Sequence, residues 1–180
     1  MHYDPEAHGI NGPLHTIYSA EYGALPEHWH ATLNKLGVET NRNHASGGNV
    51  GCWTSLAGVD PRSQKRCYSA PAYYVPAAKR ENLVLLAEAT AREILLEGET
   101  GDWTAKGVSF AHKGVEYTVR VEGEVILSAG SVQSPQLLEL SGIGNPEILR
   151  PAGIDVIVEN HNVGENLQEH MCKFQRPPNY

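Results

Sequence analysis

Long apolar runs and basic runs are both missing from this 180-residue chain. No stretch approaches the roughly 18 consecutive apolar residues of a membrane span, which excludes such a span at the level of the sequence. The chain has 14 Lys and Arg against 21 Asp and Glu, a net charge of -7. With no cluster of Lys and Arg, these features argue against nucleic acid and membrane as partners.

Cysteine is also scarce, and the three residues Cys52, Cys67 and Cys172 show no Cys-x-x-Cys spacing. Neither a disulfide framework nor a zinc site is indicated, so we expect free thiols. Residues 1–6 lack the basic and apolar regions of a secretory signal, and both a secreted and a cytoplasmic location stay open. A Gly-x-Ser-x-Gly elbow is absent too, which leaves Ser/His/Asp hydrolysis without support.

The most informative part of the chain is residues 130–144, which follow an apolar run over 124–128. An apolar run without polar alternation is typical of a strand covered on both faces, as in the parallel sheet of a nucleotide-binding domain. Ser134 can cap the first amides of a helix, and Pro135 suits the first helical position. The pattern predicts a buried strand, a turn through small residues, and a helix from Ser134 that stops at Gly142.

Residues 130–144 resemble the second signature of the glucose-methanol-choline (GMC) oxidoreductases, flavoenzymes that oxidise alcohols with FAD. The shared features are a small residue after the first glycine, Ser-Pro, paired aliphatics and a closing Ser-Gly-aliphatic-Gly at fixed spacing. The resemblance covers roughly residues 8–170, through motifs in the family's order: His8-Gly9, Gly12-Pro13, Gly48-Asn49-Val50-Gly51, Arg66 with Ser69, Arg80 with Asn82-Leu83, Gly153-Ile154 and residues 163–170.

The fold class that this resemblance implies is mixed α/β (α+β). It comprises part of an FAD-binding, Rossmann-like domain with a small β-meander, and part of a substrate-binding domain. By position, residues 1–70 belong to the substrate-binding domain and residues 71–150 to the FAD-binding domain. Residues 151–180 return towards the substrate domain and end in a divergent tail.

Two parts of the family pattern are missing. Family members open with a strand, a Gly-x-Gly-x-x-Gly turn and a helix that holds the FAD pyrophosphate, whereas Gly142-Ile143-Gly144 lacks the third glycine and closes a helix. The family's catalytic His, with its Asn or His partner, lies in a C-terminal segment that this chain ends before reaching. We therefore expect an internal piece of a flavoenzyme without a catalytic residue of its own.

The resemblance implies contacts to the adenine end of FAD at four positions. In the family, the residue after the Asn-Leu strand and its following turn holds adenine through its main chain. Counted from Asn82-Leu83 this residue is Ala91, where the family more often has valine. Ala129 and Gly130 end a strand whose C-terminal edge faces the cofactor crevice, and Ser131 is a further candidate. Without the family, the same motif is equally explained by a tight strand-to-helix turn.

The rest of the chain predicts short elements separated by glycine-rich turns. They are a strand around residues 14–18, a helix over 25–36 stopped by Gly37, a loop over 41–60 anchored by Trp53, a helix from 69 or 71 to 80, a buried strand over 83–86, and strands over 90–97, 106–112, 116–122 and 124–128, with turns at 98–102, 113–114 and 123.

The nine histidines predict no metal site. His28 and His30 are two positions apart on a predicted helix, so they point away from each other, and we expect a solvated helix face. His170 ends a family element in which, by resemblance, the histidine is structural or near the site and is not the general base.

Three hypotheses for function follow. The favoured one is that the chain is part of an FAD-dependent oxidoreductase acting on the CH–OH group of small-molecule alcohols, and functions only within a complete protein. The others are a stable non-catalytic module that binds a nucleotide or a protein, and a gene-prediction remnant without independent function. The alcohol, the electron acceptor and the oligomeric state stay open. Alone, we expect the chain to be inactive, poorly soluble and weak in FAD binding, because strand 124–128 would expose apolar surface.

Overall fold

The computed structural model describes residues 8–18, 25–42 and 44–169. The chain divides into two compact units, Met1–Val84 and Leu85–Tyr180. The assignment of residues 1–70, 71–150 and 151–180 to domains of the family stays a prediction. Cys172 and His170 lie outside the described residues. Within the described ranges, no helix has the length and apolar character needed to cross a membrane.

The first unit combines short helices with a small hairpin. Helix α1 spans Leu25–Lys35, which confirms the helix predicted over 25–36. Gly37, predicted to stop it, has a φ of 86° just after the helix ends. The strand predicted around residues 14–18 is reduced to a single bridge between Ile17 and Ala57. The other elements are a 3-10 turn at His44–Ser46, strands β1 (Val59–Asp60) and β2 (Lys65–Arg66) in antiparallel pairing, a π-helical segment at Ala70–Tyr74, and helix α2 (Val75–Ala77).

His30 of α1 lies in a small polar cluster, so the prediction that it occupies a solvated face is wrong. Its Nδ1 is 3.3 Å from Thr40 Oγ1, and its Nε2 is 3.1 Å from Thr54 Oγ1. The buried Cys52 places its Sγ 3.5 Å from the same Nδ1. The cause is tertiary: residues 38–54 fold back over α1, which a helical periodicity does not reveal. His28 is exposed, as expected.

The second unit begins with the predicted β-meander. Strands β3 (Ala89–Glu99), β4 (Asp102–His112) and β5 (Val115–Arg120) pair antiparallel in that order. Lys113 and Gly114 between β4 and β5 have φ values of 51° and 79°. Two successive positive φ values are typical of the type I′ turn, whose twist matches that of the flanking strands. The meander and its 113–114 turn are confirmed.

The remaining elements of this unit are helices, a 3-10 turn and a small pair of parallel strands, and they pack against the meander. They are α3 (Gly130–Leu140), β6 (Ile143–Gly144), α4 (Pro146–Leu149), a 3-10 turn at Arg150–Ala152, and β7 (Val158–Glu159), which pairs parallel with β6. The buried side chains among the described residues of this unit include Ile94, Leu137, Ser141, Pro146, Leu149 and Val163. They place the core between β3, α3 and the β6–β7 connection.

Two predicted strands are wrong. Residues 83–86 and 124–128 are irregular, and Val84 and Ile126 are 86% and 80% exposed. A strand covered on both faces needs a neighbouring strand to take its main-chain hydrogen bonds. None of the described strands pairs with either segment.

The buried side chain of Ser141 ties the meander to α3. It is 1% exposed, and its Oγ accepts a hydrogen bond from the Ile94 N–H at 2.8 Å. The same hydroxyl donates to the Leu137 carbonyl at 2.6 Å. Because Ile94 lies on the edge strand β3, this hydroxyl satisfies a buried amide that has no strand beside it.

Ser141→Ala tests this bond. We expect it to lower the free energy of unfolding by about 1–3 kcal/mol, because the buried Ile94 amide loses its acceptor. Chemical denaturation of the purified protein measures the loss. Ser128→Ala, at an exposed serine of the same unit, is the matched control and should leave stability unchanged. Equal stability of the two variants would show that the bond contributes nothing.

Gly142 ends α3 in a conformation and a space that fit only glycine. Its φ is 78°, and a Cβ there would lie 2.7 Å from the Asp155 carbonyl oxygen and 2.8 Å from Ile157 Cγ1. Gly153 has a similar φ of 74° but open space around the position of a Cβ.

Gly142→Ala is therefore expected to destabilise the protein more than Gly153→Ala. Both variants incur a backbone cost of about 1–2 kcal/mol for an L-residue in the left-handed region. Overpacking adds about 1–3 kcal/mol at position 142 alone. Midpoints of denaturant unfolding compare the two, and equal midpoints would contradict the close packing at Gly142.

Candidate functional site

The N-terminal turn of α3 contains three of the four predicted cofactor-binding residues. Ala129 precedes the helix, Gly130 begins it with a φ of 91° and open space around it, and Ser131 follows. The predicted start at Ser134 is wrong by four residues. The Ser134 hydroxyl instead reaches back to accept the Ala129 N–H at 3.1 Å, so the serine supports the turn from inside the helix.

Pro135 lies inside α3, which leaves extra hydrogen-bonding capacity at this end of the helix. A proline has no N–H to donate to the carbonyl four residues earlier, which here belongs to Ser131. The first amides of the helix, from Gly130 to Val132, also have no intrahelical acceptor. The turn thus presents several donors, together with the partial positive charge of a helix N-terminus.

A cleft of about 370 Å³ lies beside this turn. Its far wall is a loop whose Asn160 N–H donates to the Gly144 carbonyl at 3.0 Å, and whose Asn160 Oδ1 accepts the Asn162 N–H at 3.0 Å. Val163 anchors the loop in the core. The cleft is lined by Ser131, Ser134, Pro135 and Leu138 of α3 and by Asn160, Asn162, Val163, Gly164, Glu165 and Leu167 of the loop.

The fourth predicted residue, Ala91, lies on the edge strand β3. The Val121 N–H donates to the Lys106 carbonyl at 2.9 Å, so the main chain of Lys106 faces β5. Directions alternate along a strand, and Phe110, four residues further, therefore faces β5 too. Ala91 is opposite Phe110, so the amide and carbonyl of Ala91 point away from β4, towards the open edge.

The bond between Ile94 and Ser141 confirms this direction independently. The Ile94 amide points to the outer edge of β3, where it meets Ser141 Oγ. Three residues separate Ile94 from Ala91, and the register shifts between Ala91 and Glu93. The single extra residue of this bulge restores the alternation, so both amides lie on the same edge.

The structure thus brings Ala129, Gly130 and Ser131 together in one turn and places Ala91 on a different element. Sequence reasoning missed Asn160 and Asn162, although an Asn-x-Asn run before Val-Gly is a turn signal that could have indicated the loop. Within the described residues, no group of three or more His, Cys, Asp or Glu is placed to hold a metal ion.

Comparison with known sequences identifies the family. The profile of the GMC oxidoreductases matches residues 2–172. Dehydrogenase mpl7 of Monascus purpureus is 43% identical over 169 residues, which are 92% of this chain and 27% of that protein. The GMC oxidoreductase family protein Mala s 12 of Malassezia sympodialis is 35% identical over 173 residues, 95% of this chain and 28% of that protein. The class is that of the oxidoreductases.

Within that class, the chain belongs to the GMC oxidoreductase family. It spans little more than a quarter of the length of the curated relatives that it matches, 27% and 28%. The resemblance read from the 130–144 signature is confirmed.

Comparison with solved structures also finds FAD-dependent oxidoreductases and oxidases. An FAD-dependent oxidoreductase from Chaetomium thermophilum aligns with a TM-score of 0.80 at 26% identity, covering 87% of this chain and 27% of that one. A fungal aryl-alcohol oxidase gives a TM-score of 0.73 at 25% identity, covering 87% and 26%. A formate oxidase gives 0.73 at 26% identity, covering 87% and 27%. The mixed fold class and FAD as the cofactor are confirmed.

Proposed function

We propose that the protein carrying this chain oxidises the CH–OH group of alcohol donors with FAD, and that this chain holds the adenine end of the cofactor. The observation that carries the proposal is the outward-facing main chain of Ala91 on the edge of β3. Membership of the GMC family supplies the cofactor, and the aryl-alcohol oxidase among the structural relatives supports the donor class.

The edge at Ala91 suits a purine. Adenine presents an amino donor next to a ring-nitrogen acceptor, and a strand residue at an open edge presents its carbonyl and amide side by side. The pairing needs no side chain, so alanine serves at this position. A methyl group covers less of the purine than the valine that the family more often has there.

The turn at Gly130 and Ser131 suits the polar remainder of a dinucleotide. Unpaired amides at a helix N-terminus favour phosphate oxygens, and the Ser131 hydroxyl can donate or accept towards a ribose hydroxyl. Gly130 has no neighbouring atom within 4 Å of the position of a Cβ, which leaves room for close approach of a ligand.

These contacts give this chain the role of binding the cofactor, and the chemical step depends on other groups. Bound FAD supplies the acceptor for the hydride that leaves the alcohol carbon. A base must take the hydroxyl proton, and the proposal assigns that role to no residue of this chain. The chain binds and orients the cofactor, and we propose that it is inactive alone.

Substitutions at Ala91 test the adenine contact in the complete FAD-binding protein. Ala91→Pro removes only an outward-facing N–H, which an edge strand tolerates, and we expect FAD affinity to fall about tenfold, the equivalent of one hydrogen bond of roughly 1.4 kcal/mol. Ala91→Val keeps the N–H and should bind FAD at least as tightly as the parent. Fluorescence titration of the apoprotein measures both. Unchanged affinity in Ala91→Pro would contradict the contact.

Anaerobic reduction of the bound flavin tests the donor class. Aliphatic and aryl alcohols are mixed in turn with the complete FAD-loaded protein, and bleaching of the oxidised flavin is followed. We expect at least one alcohol to reduce the flavin. Formate is the comparison donor, because a formate oxidase is among the structural relatives. Reduction by formate and by none of the alcohols would overturn the proposed donor class.

A further inference from the structure

The outer edge of β5 has no strand beside it. β5 is the last strand of its sheet, and none of the described strands pairs with it on the side away from β4. All six of its residues are exposed, and its pairing with β4 contains no bulge. The opposite edge of the sheet, β3, is bulged and bonded to Ser141. A regular open edge presents a row of N–H and C=O groups to which a further strand can pair.

The main-chain groups that face outwards along this edge belong to Glu116, Thr118 and Arg120. The Val121 N–H donates to the Lys106 carbonyl at 2.9 Å, so the main chain of Val121 faces β4. Directions alternate along a strand whose pairing is regular. Every second residue before Val121 therefore faces β4 as well, and the residues between them face away from it. Within the described part of the chain, no hydrogen bond takes up these outward groups.

This edge is complementary to a second copy of itself. If two β5 strands lie antiparallel about a two-fold axis at Thr118, Thr118 is opposite Thr118, and Glu116 is opposite Arg120 of the other copy. The main chains of these residues face outwards in both copies, so each opposed pair can exchange both of its N–H···O=C bonds. A register shifted by one residue would oppose an outward-facing main chain to an inward-facing one and lose these bonds.

The charges along β5 favour the same register. Opposite charges directly across a strand pair are stabilising and like charges are destabilising, and the two-fold axis repeats the Glu116–Arg120 pair twice. Within the described residues, Arg120 has no carboxylate within 4.0 Å. Glu116 lies 3.7 Å from the exposed Arg92 of its own chain, and an exposed pair of this kind contributes little. Charged edge residues discourage other strands, so they also select the partner.

The other face of β5 supplies apolar contacts. Val115, Tyr117 and Val119 alternate along it, and all three are exposed. In the two-fold register, Tyr117 is opposite Val119 of the other copy, and a pair of an aromatic and a β-branched residue stabilises adjacent strands. The Tyr117 ring already stacks on Phe110, with 5.6 Å between the ring centroids. The ring is therefore held in place before a second strand arrives.

We propose that the outer edge of β5 joins two copies of this protein into a two-fold dimer. The three-stranded sheets of the two copies form one continuous antiparallel sheet, in which Glu116 of each copy faces Arg120 of the other. Pairing of two short strands buries less surface than a standard interface, so we expect a dissociation constant in the micromolar range. The dimer uses the sheet edge opposite to Ala91, and it does not depend on the proposed FAD contacts.

Sedimentation velocity of the complete protein over a concentration series tests the dimer by charge reversal. Glu116→Arg and Arg120→Glu each place like charges opposite one another in both symmetric pairs, and each should raise the dissociation constant at least about tenfold. The double variant Glu116→Arg/Arg120→Glu restores opposite charges and should dimerise like the parent. An equimolar mixture of the two single variants should dimerise too, because each is complementary to the other.

The matched control is Glu97→Arg, at an exposed position of β3, which should leave the dissociation constant within about twofold of the parent. A monomer at every concentration, as expected if another part of the complete protein covers β5, overturns the proposal. A dimer that the single variants leave intact, or that Glu97→Arg weakens equally, overturns it as well. So does a double variant that stays monomeric.

Thr118→Pro provides a second test if a charge variant does not fold. It removes an outward-facing N–H, which an edge strand tolerates, and its ring blocks the approach of a second strand at the two-fold axis. We expect the variant to sediment as a monomer with an unchanged circular dichroism spectrum. A folded Thr118→Pro variant that still dimerises like the parent would overturn the proposal.

Discussion

The register of the edge strand β3 is the constraint on which the second unit depends. It directs the Ile94 amide towards Ser141, and so determines where α3 attaches. It also directs the main chain of Ala91 towards the same open edge. A slip of one residue would reverse every direction along the strand. Such a slip would detach α3 and turn Ala91 towards β4 in the same step.

The C-terminal end of α3 connects the position of this helix to the cleft beside its N-terminal turn. Gly142 turns the chain sharply into β6, and β6 pairs with β7, which leads into the loop at Asn160. That loop forms the wall of the cleft opposite Ser131. The candidate site at the N-terminus of α3 is therefore shaped by packing at both ends of the helix.

Local patterns predicted what local physics determines. The 113–114 turn, the meander and the end of α3 at Gly142 follow from residues that tolerate positive φ and from alternation within single strands. The 130–144 spacing was enough to predict the family and its cofactor. The placement of Ala129, Gly130 and Ser131 in one turn also follows from their adjacency.

What the sequence did not reveal depends on distant neighbours. Residues 124–128 have the composition of a buried strand, but composition does not provide the adjacent strand that would pair with them. The Ser134-Pro135 pair predicts a helix from Ser134, but α3 begins at Gly130, and the Ser134 hydroxyl accepts the Ala129 N–H. His30 is enclosed by residues 10 and 24 positions away, Thr40 and Thr54. Each error concerns a contact that periodicity does not encode.

Hydrogen–deuterium exchange at individual amides, in the complete protein with and without FAD, tests the central claim most directly. The account predicts that FAD slows exchange at Ala91 and at the first amides of α3. The Ile94 amide, already bonded to Ser141, should exchange at the same slow rate in both states. Fast exchange at Ala91 in the FAD-loaded protein would contradict the assignment of the β3 edge to the adenine.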